Sequence, residues 1–102
     1  MRYDEEKELI FLLEQIEDPR HARGIRYRFA DLLLICIYAV LAGHSEGSDI
    51  AFYAELNFEY FKEKTQIKRV PSHDTFSRLL RMVNFEGLSS SLGAWLEEMF
   101  PE

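Results

Sequence analysis

The side chains best suited to chemistry lie in residues 71–81, which contain the three residue types of a hydrolytic triad and two arginines. Ser72, His73 and Asp74 are consecutive, and consecutive residues on a helix point about 100° apart. A triad requires its nucleophile, base and orienting acid to converge in space. The spacing therefore argues against hydrolysis, and the outward-pointing cations of this stretch are better suited to a polyanion.

Neither the histidines nor the single cysteine show the spacing of a metal site. His21, His44 and His73 are isolated from one another, and Cys36 has no second cysteine with which to form a Cys-x-x-Cys pair. The five glycines are scattered, whereas a phosphate-binding loop groups them before a helix. The sequence therefore predicts neither a metal nor another cofactor.

Charge is distributed unevenly along the chain. The net charge of −6 by itself argues against nucleic acid, because DNA-binding proteins usually present a basic surface. However, residues 19–28 contain four arginines and no acid, and residues 62–81 contain six lysines and arginines against two acids. Two basic blocks in an acidic background indicate an anionic partner for part of the surface.

A helix is predicted to begin after Ser72. Ser72 is a preferred N-cap residue, and Asp74 places a carboxylate where the helix dipole is positive. Apolar residues follow at i, i+3, i+4 and i+7, which predicts one buried stripe. That stripe consists of Phe76, Leu79, Leu80 and Val83. The residues predicted to face outward are His73, Ser77, Arg78 and Arg81.

The first part of the chain reads as a helix followed by an irregular arm. Apolar residues at helical spacing predict a helix over residues 5–16, with Asp4 as its N-cap and an acidic outer face. Pro19 prevents this helix from continuing. Residues 17–28 have neither helical nor strand periodicity and contain a proline and a glycine. We call them the basic arm.

The central helix is predicted over residues 29–42, which are apolar on every side apart from Asp31. A helix of this kind is surrounded by others, and Gly43 provides its stop. Its 14 residues suit a buried helix better than a membrane span, which needs about 20 residues.

Further helical segments are predicted on both sides of the Ser72 helix. Residues 48–64 should form a helix with Ser48 as its N-cap and an interruption at Asn57. After Asn84, an apolar stripe with helical spacing runs through residues 85–99. The glycines and consecutive serines of that last segment make it a weak helix former that depends on packing.

Two interpretations of the Ser72 helix stay open. As the recognition helix of a helix-turn-helix unit, it would turn its outward residues to DNA while the segment 48–64 crosses the backbone. As an ordinary surface helix, it would use Asp74 and Arg78 as an i,i+4 pair worth about 0.2–0.5 kcal/mol. The pair explains both residues without any ligand.

The basic arm has a similar pair of interpretations. Its arginines could bind phosphate, which the guanidinium group fits bidentately, or they could neutralise the acidic face of helix 5–16. We favour phosphate contact, because four cations exceed what pairing with Glu17 and Asp18 requires. The candidate DNA-binding residues are Arg20, Arg23, Arg26, Arg28, Lys68, Arg69, His73, Ser77, Arg78 and Arg81.

Several motifs in order resemble one known family. They are Asp18-Pro19-Arg20 with Arg23-Gly24-Ile25-Arg26-Tyr27, then Ala39-Val40-Leu41-Ala42-Gly43, then Val70-Pro71-Ser72-His73-Asp74-Thr75-Phe76-Ser77-Arg78, then Ala94-Trp95-Leu96. Over roughly residues 9–96, the chain resembles the N-terminal domain associated with bacterial DDE transposases of the H-repeat-associated class. In that family this all-helical domain precedes a catalytic domain that cuts and joins DNA with three acidic residues and divalent metal ions.

These observations predict one all-α domain over residues 1–102, a bundle of about five helices around residues 29–42 with a helix-turn-helix-like unit. Two-metal chemistry needs carboxylates that converge on ions some 3.5–4 Å apart. No such set is identifiable, so we expect a non-catalytic module whose parent catalytic domain lies outside this chain.

The expected partner is DNA at transposon ends. The alternative is a protein–protein module, whose acidic faces and C-terminal apolar stripe dock on the transposase catalytic domain or on a second protomer as a homo-oligomer. The acidic N-terminus lacks the pattern of a signal peptide, and the lone cysteine fits a reduced compartment. We therefore expect a cytoplasmic, nucleoid-associated protein with no membrane partner.

Overall fold

A computed structural model describes residues 3–20 and 25–83, and these residues form five α-helices and no strand. The helices are α1 (Tyr3–Glu14), α2 (Phe29–Leu41), α3 (Gly47–Leu56), α4 (Phe58–Lys64) and α5 (His73–Met82). The predicted all-α bundle is confirmed. The predicted helix over residues 85–99, with Asn84 before it and Trp95 within it, lies outside the described residues.

The helix α2 is central, as its all-round apolar sequence predicts. Nine of its 13 residues are buried, and it contacts α1, α3 and α5. Leu33, Ile35 and Cys36 have no exposed surface at all. Because full burial of an aliphatic side chain contributes about 1.5–3 kcal/mol, α2 is the main source of core stability among the described helices.

The helix α2 ends in a Schellman motif at Gly43. The φ angle of Gly43 is +99°, in the left-handed region that favours glycine. The His44 N–H donates to the Ala39 carbonyl at 2.9 Å, and the Gly43 N–H donates to the Val40 carbonyl at 3.0 Å. These bonds satisfy carbonyls that the helix end would leave without partners. The predicted stop at Gly43 is confirmed.

The most extensive helix contact among the described elements is between α3 and α5, and Gly47 lies at this contact. A Cβ at Gly47 would lie 2.1 Å from the Ser77 Oγ and 2.7 Å from the His73 carbonyl oxygen. The two helices can therefore approach this closely only because position 47 has no side chain. The buried side chains of this helix pair are Ile50, Ala54, Phe76 and Leu79.

Two sequence predictions at this contact are wrong. Ser48 is not the N-cap of α3: the helix begins at Gly47, and Glu46 occupies the N-cap position without a side-chain cap bond. Ser77 does not face outward, because it is half-buried against Gly47. The error at Ser77 has a physical cause. Gly47 packs directly on α5 beside Ser77. The hydrophobic periodicity of α5 cannot predict that the backbone of another helix covers one of its polar residues.

The predicted acidic outer face of α1 also needs correction. Asp4 lies inside the helix, not at its N-cap. Glu6 is only 5% exposed, and its carboxylate accepts hydrogen bonds from the hydroxyls of Tyr38 and Tyr60. The Lys64 Nζ lies 3.5 Å from the same carboxylate. A carboxylate can be buried when it is paired and hydrogen-bonded, so Glu6 ties α1 to α2 and α4.

Gly47→Ala should lower the free energy of unfolding by about 1–3 kcal/mol, the usual effect of overpacking. The added methyl group meets backbone atoms of α5 that cannot rotate away. The measurement is urea denaturation. Ser48→Ala is the matched control, since Ser48 is exposed and caps nothing, and it should change stability by no more than about 0.5 kcal/mol. Equal effects from both changes would contradict the packing described above.

Because the hydroxyls of Tyr38 and Tyr60 are hydrogen-bonded to Glu6, we predict that the free energy of unfolding falls at alkaline pH. Burial, and then the hydrogen bond to Glu6, raise the pKa of Tyr38 and of Tyr60 above the usual value. The folded chain thus keeps phenol protons that the unfolded chain loses at about pH 10. This contribution to stability is complete below that pH and declines as the pH rises further.

Urea denaturation from about pH 9 to pH 11 should therefore show a falling free energy of unfolding. Tyr38→Phe removes one of the phenol groups, so the fall should be shallower than in the wild type. Comparison with this variant separates the tyrosine contribution from the titration of lysines in the same range. Parallel curves for the two proteins would rule out the contribution of Tyr38.

Candidate nucleic-acid interface

A buried carboxylate at the start of α2 joins the two basic blocks of the chain. Asp31 is 3% exposed and sits in the first turn of α2, where the helix dipole favours a negative charge. The Arg28 guanidinium donates to it at 3.0 and 3.3 Å, and the Gln66 backbone N–H donates to it at 3.1 Å. Asp31 therefore holds the basic arm on one side and the linker of residues 65–72 on the other.

An open groove of about 700 Å³ lies between the arm and this linker. We call it the basic groove. Arg26 borders it from the arm, and Lys68 and Arg69 border it from the linker. All three are exposed, and none has an ion-pair or hydrogen-bond partner for its side chain within the described residues. These three cations are therefore accessible to an anionic ligand.

Arg26 also borders a second open groove, of about 740 Å³, between the arm and α5. Ile25 lines this groove from the arm, while Arg78 and Met82 line it from the helix. The arm and α5 are thus neighbours, although about 50 residues of sequence separate them. The structure brings both predicted basic segments to adjoining grooves, with Arg26 shared between them.

Arg20 differs from Arg26 because its guanidinium already has protein partners. It donates to the Asp18 carboxylate at 2.9 and 3.0 Å and to the Tyr27 carbonyl at 2.7 Å. It also lies over the Phe29 ring, 5.5 Å from the centroid, and its side chain is only 15% exposed. The hydrogen bonds from Arg20 lower the pKa of the Asp18 carboxyl. Arg20 therefore fixes the shape of the arm. This agrees with the interpretation in which arginines of the arm pair with nearby acids instead of binding phosphate.

Arg28 combines the two interpretations of the arm. Besides Asp31, its guanidinium lies 3.5 Å from the Glu14 carboxylate of α1, so it neutralises one acid of that helix. Hydrogen bonding to Asp31 raises the pKa of Arg28 above its ordinary value. The side chain is nevertheless 40% exposed and borders the basic groove. The remaining arm candidate, Arg23, lies outside the described residues.

The start of α5 matches the prediction. The Ser72 Oγ accepts a hydrogen bond from the Thr75 N–H at 3.2 Å, which confirms Ser72 as the N-cap. Asp74 occupies the first turn, and Phe76 and Leu79 are buried.

The linker before α5 has eight residues, 65–72, whereas the turn of a helix-turn-helix motif has 3–4. The main helical partner of α5 is α3 rather than α4.

Three of the four residues predicted to face outward on α5 are exposed. They are His73, Arg78 and Arg81. Arg78 pairs with Asp74 at 2.9 Å, as its i,i+4 spacing predicts, and Arg81 donates from Nε to the Ser77 carbonyl at 3.3 Å. An exposed pair of this kind is worth little, so a phosphate could compete for Arg78.

Other kinds of site find no support in the described part of the chain. It holds no group of three or more His, Cys, Asp or Glu side chains that could bind a metal ion. Burial raises the pKa of the Cys36 thiol to about 12, so this residue is a poor nucleophile at neutral pH. Within the same residues, no helix has the length and apolar character needed to cross a membrane.

Comparison with known proteins identifies the family. The family model described as DDE_Tnp_1-associated matches residues 10–96. The chain therefore belongs to the DDE_Tnp_1-associated family, and the resemblance to the associated domain of DDE transposases is confirmed. No solved structure matches the chain significantly.

Its relatives include proteins from Escherichia coli (strain K12). The chain is 31% identical to "Inactive transposase YbfQ" over 77 residues, which is 72% of this chain and 92% of that protein. It is 29% identical to "H repeat-associated putative transposase YbfD" over 78 residues, and 27% identical to the similarly named YhhI over 79 residues. Each match covers 76% of this chain, but only 31% of YbfD and 21% of YhhI.

Proposed function

We propose that this chain is a non-catalytic module of a DDE-type transposase that binds DNA at transposon ends through the basic groove. One observation carries the proposal: Arg26, Lys68 and Arg69 come from two distant segments and meet at one open groove. The chain belongs to a transposase-associated family, which supports DNA as the ligand of this groove. Phosphate oxygens are the groups that such cations bind most often in protein–DNA complexes.

The charge of the rest of the protein favours this groove over other surfaces. The whole chain carries a net charge of −6, so its overall charge repels a polyanion. Cations without protein partners can neutralise phosphates and release the counterions condensed on DNA, which drives association at low salt. The proposed orientation therefore places the basic groove on the phosphate backbone.

The helix α5 would then lie beside the bound duplex. Arg26 separates the basic groove from the groove of α5, so DNA that contacts Arg26 also approaches Arg78. His73 and Arg81 are exposed on the same helix. In this arrangement the basic groove supplies affinity for any sequence, and α5 supplies the side chains that could contact base edges.

Lys68→Ala should weaken binding to a short DNA duplex of mixed sequence and should reduce the slope of log affinity against log salt by about 0.9. The reason is that one phosphate is no longer neutralised by the protein. The measurement is fluorescence anisotropy across a salt series from about 50 to 200 mM. Lys62→Ala is the matched control, because it removes the same charge from an exposed lysine of α4 that lines neither groove.

The control variant should bind DNA as the wild type does. Equal losses of affinity in the two lysine variants would show a diffuse attraction instead of a defined groove. Absence of wild-type binding at the lowest salt concentration would refute the DNA-binding proposal as a whole.

Docking on protein is the second candidate function, and a specific surface supports it. The outer face of α3 exposes Phe52 and Leu56, at 58% and 68%. Residues 44–61 include four acids and no lysine or arginine, so this apolar face has an acidic surround. It would suit a basic partner surface on the catalytic domain or a second protomer. Size-exclusion chromatography discriminates the candidates: a stable dimer that ignores DNA favours docking.

A further inference from the structure

We infer that Asp31 is the positioning residue of the basic groove, so that loss of its negative charge weakens the binding of a polyanion. The inference rests on the proposed function and deepens it. It reverses the simple electrostatic expectation, in which the removal of an acid beside a basic surface strengthens DNA binding. The two expectations differ in sign, so one substitution separates them.

The geometry places Asp31 at the junction of both walls of the groove. It is the one acidic residue that lines the basic groove within the described chain. It accepts from Arg28, two residues after Arg26, and from the backbone of Gln66, two residues before Lys68. Each of these accessible cations is thus close in the chain to a group that Asp31 holds.

We call the hydrogen bonds of Asp31 to Arg28 and to the Gln66 N–H the clamp. The charges around the groove make this clamp necessary. Four cations, Arg26, Arg28, Lys68 and Arg69, border one depression and repel one another. Asp31 is the buried charge that opposes this repulsion, and it also bonds both segments directly. Without it, the arm and the linker lose their common anchor. The groove would widen, and the cations would no longer match neighbouring phosphates.

The direct repulsion between Asp31 and DNA is the smaller effect. The Asp31 side chain is 4% exposed, and its carboxylate accepts three hydrogen bonds, two of them from the Arg28 guanidinium. Its charge is therefore largely neutralised before DNA arrives. Asparagine at this position would keep one acceptor oxygen but turn an NH₂ group towards donors, so part of the clamp would be lost.

Asp74 offers a control with the opposite expectation. It is also an aspartate paired with an arginine on the basic side, but it is 54% exposed and its ion pair runs along its own helix, α5. Asp74→Asn frees Arg78 without separating any two segments. It should therefore strengthen DNA binding by up to a few fold, whereas Asp31→Asn should weaken it.

The test is fluorescence anisotropy of the 102-residue chain with a short DNA duplex of mixed sequence, at a temperature where circular dichroism shows each variant folded. Asp31→Asn should bind DNA on the order of tenfold more weakly, because the cations of the groove would no longer match neighbouring phosphates. The log–log salt slope should fall by about 0.9 for each phosphate that the protein no longer neutralises. Simple destabilisation would reduce the active fraction but leave that slope unchanged.

Arg28→Lys keeps the test informative if Asp31→Asn does not fold. Lysine preserves the charge but cannot form the bidentate contact with Asp31. The clamp predicts several-fold weaker binding together with a smaller log–log salt slope, because Arg26 and Lys68 would no longer match neighbouring phosphates. Loss of a direct phosphate contact by Arg28 alone would leave the slope unchanged, since lysine keeps the charge, and that result would contradict the clamp.

Wild-type or tighter binding by a folded Asp31→Asn, or by Arg28→Lys, would overturn the inference while DNA binding itself stood. A wild-type chain that does not bind DNA would overturn the proposed function instead.

Discussion

The hydrogen bonds of Asp31 are the constraint on which the basic groove depends. Burial of an ion costs several kcal/mol unless partners satisfy it, and here the Arg28 guanidinium and the Gln66 N–H do so. The Gln66 bond spans 35 residues of sequence, so it fixes the linker to the start of the central helix. A polar group inside an otherwise apolar helix thus decides where two surface segments lie.

This constraint brings cations from two distant segments of an acidic protein to one groove. None of the acids of residues 44–61 lines the basic groove, and the glycine contact at Gly47 holds α3 against α5. The helix α5 therefore lies with α3 against one side and the basic arm next to another. Under the two proposals above, DNA would bind the basic groove and a protein would bind the apolar outer face of α3.

Part of the local chemistry is predictable from the sequence, although the predicted N-caps at Asp4 and Ser48 are wrong, and long-range contact is not predictable. The stop at Gly43 and the cap at Ser72 follow from residue type and neighbours, and both are present. Ser77 and Glu6 differ from expectation because their neighbours lie on other helices. In the arm, Arg20 and Arg26 look alike in sequence. Only the fold shows that one is held by Asp18 and that the other is open to a ligand.

The motifs that carry the family resemblance acquire a physical meaning in this structure. Asp18 and Arg20 shape the arm, while Ser72 caps α5 and Asp74 pairs with Arg78. These residues build the two segments that present cations, but few of them are the accessible cations themselves. The motifs thus mark mainly the scaffold of the surface: of the three accessible cations, Arg26 lies within a motif, whereas Lys68 and Arg69 lie just outside one.

Amide hydrogen exchange at Gln66, followed by NMR, tests the role of Asp31 most directly. In the wild-type chain the Gln66 N–H donates to a buried carboxylate, so its exchange should be strongly slowed. In Asp31→Ala that protection should disappear, while the amides in the middle of α2 stay protected. Equal protection of Gln66 in the two proteins would contradict the claim that Asp31 anchors the linker.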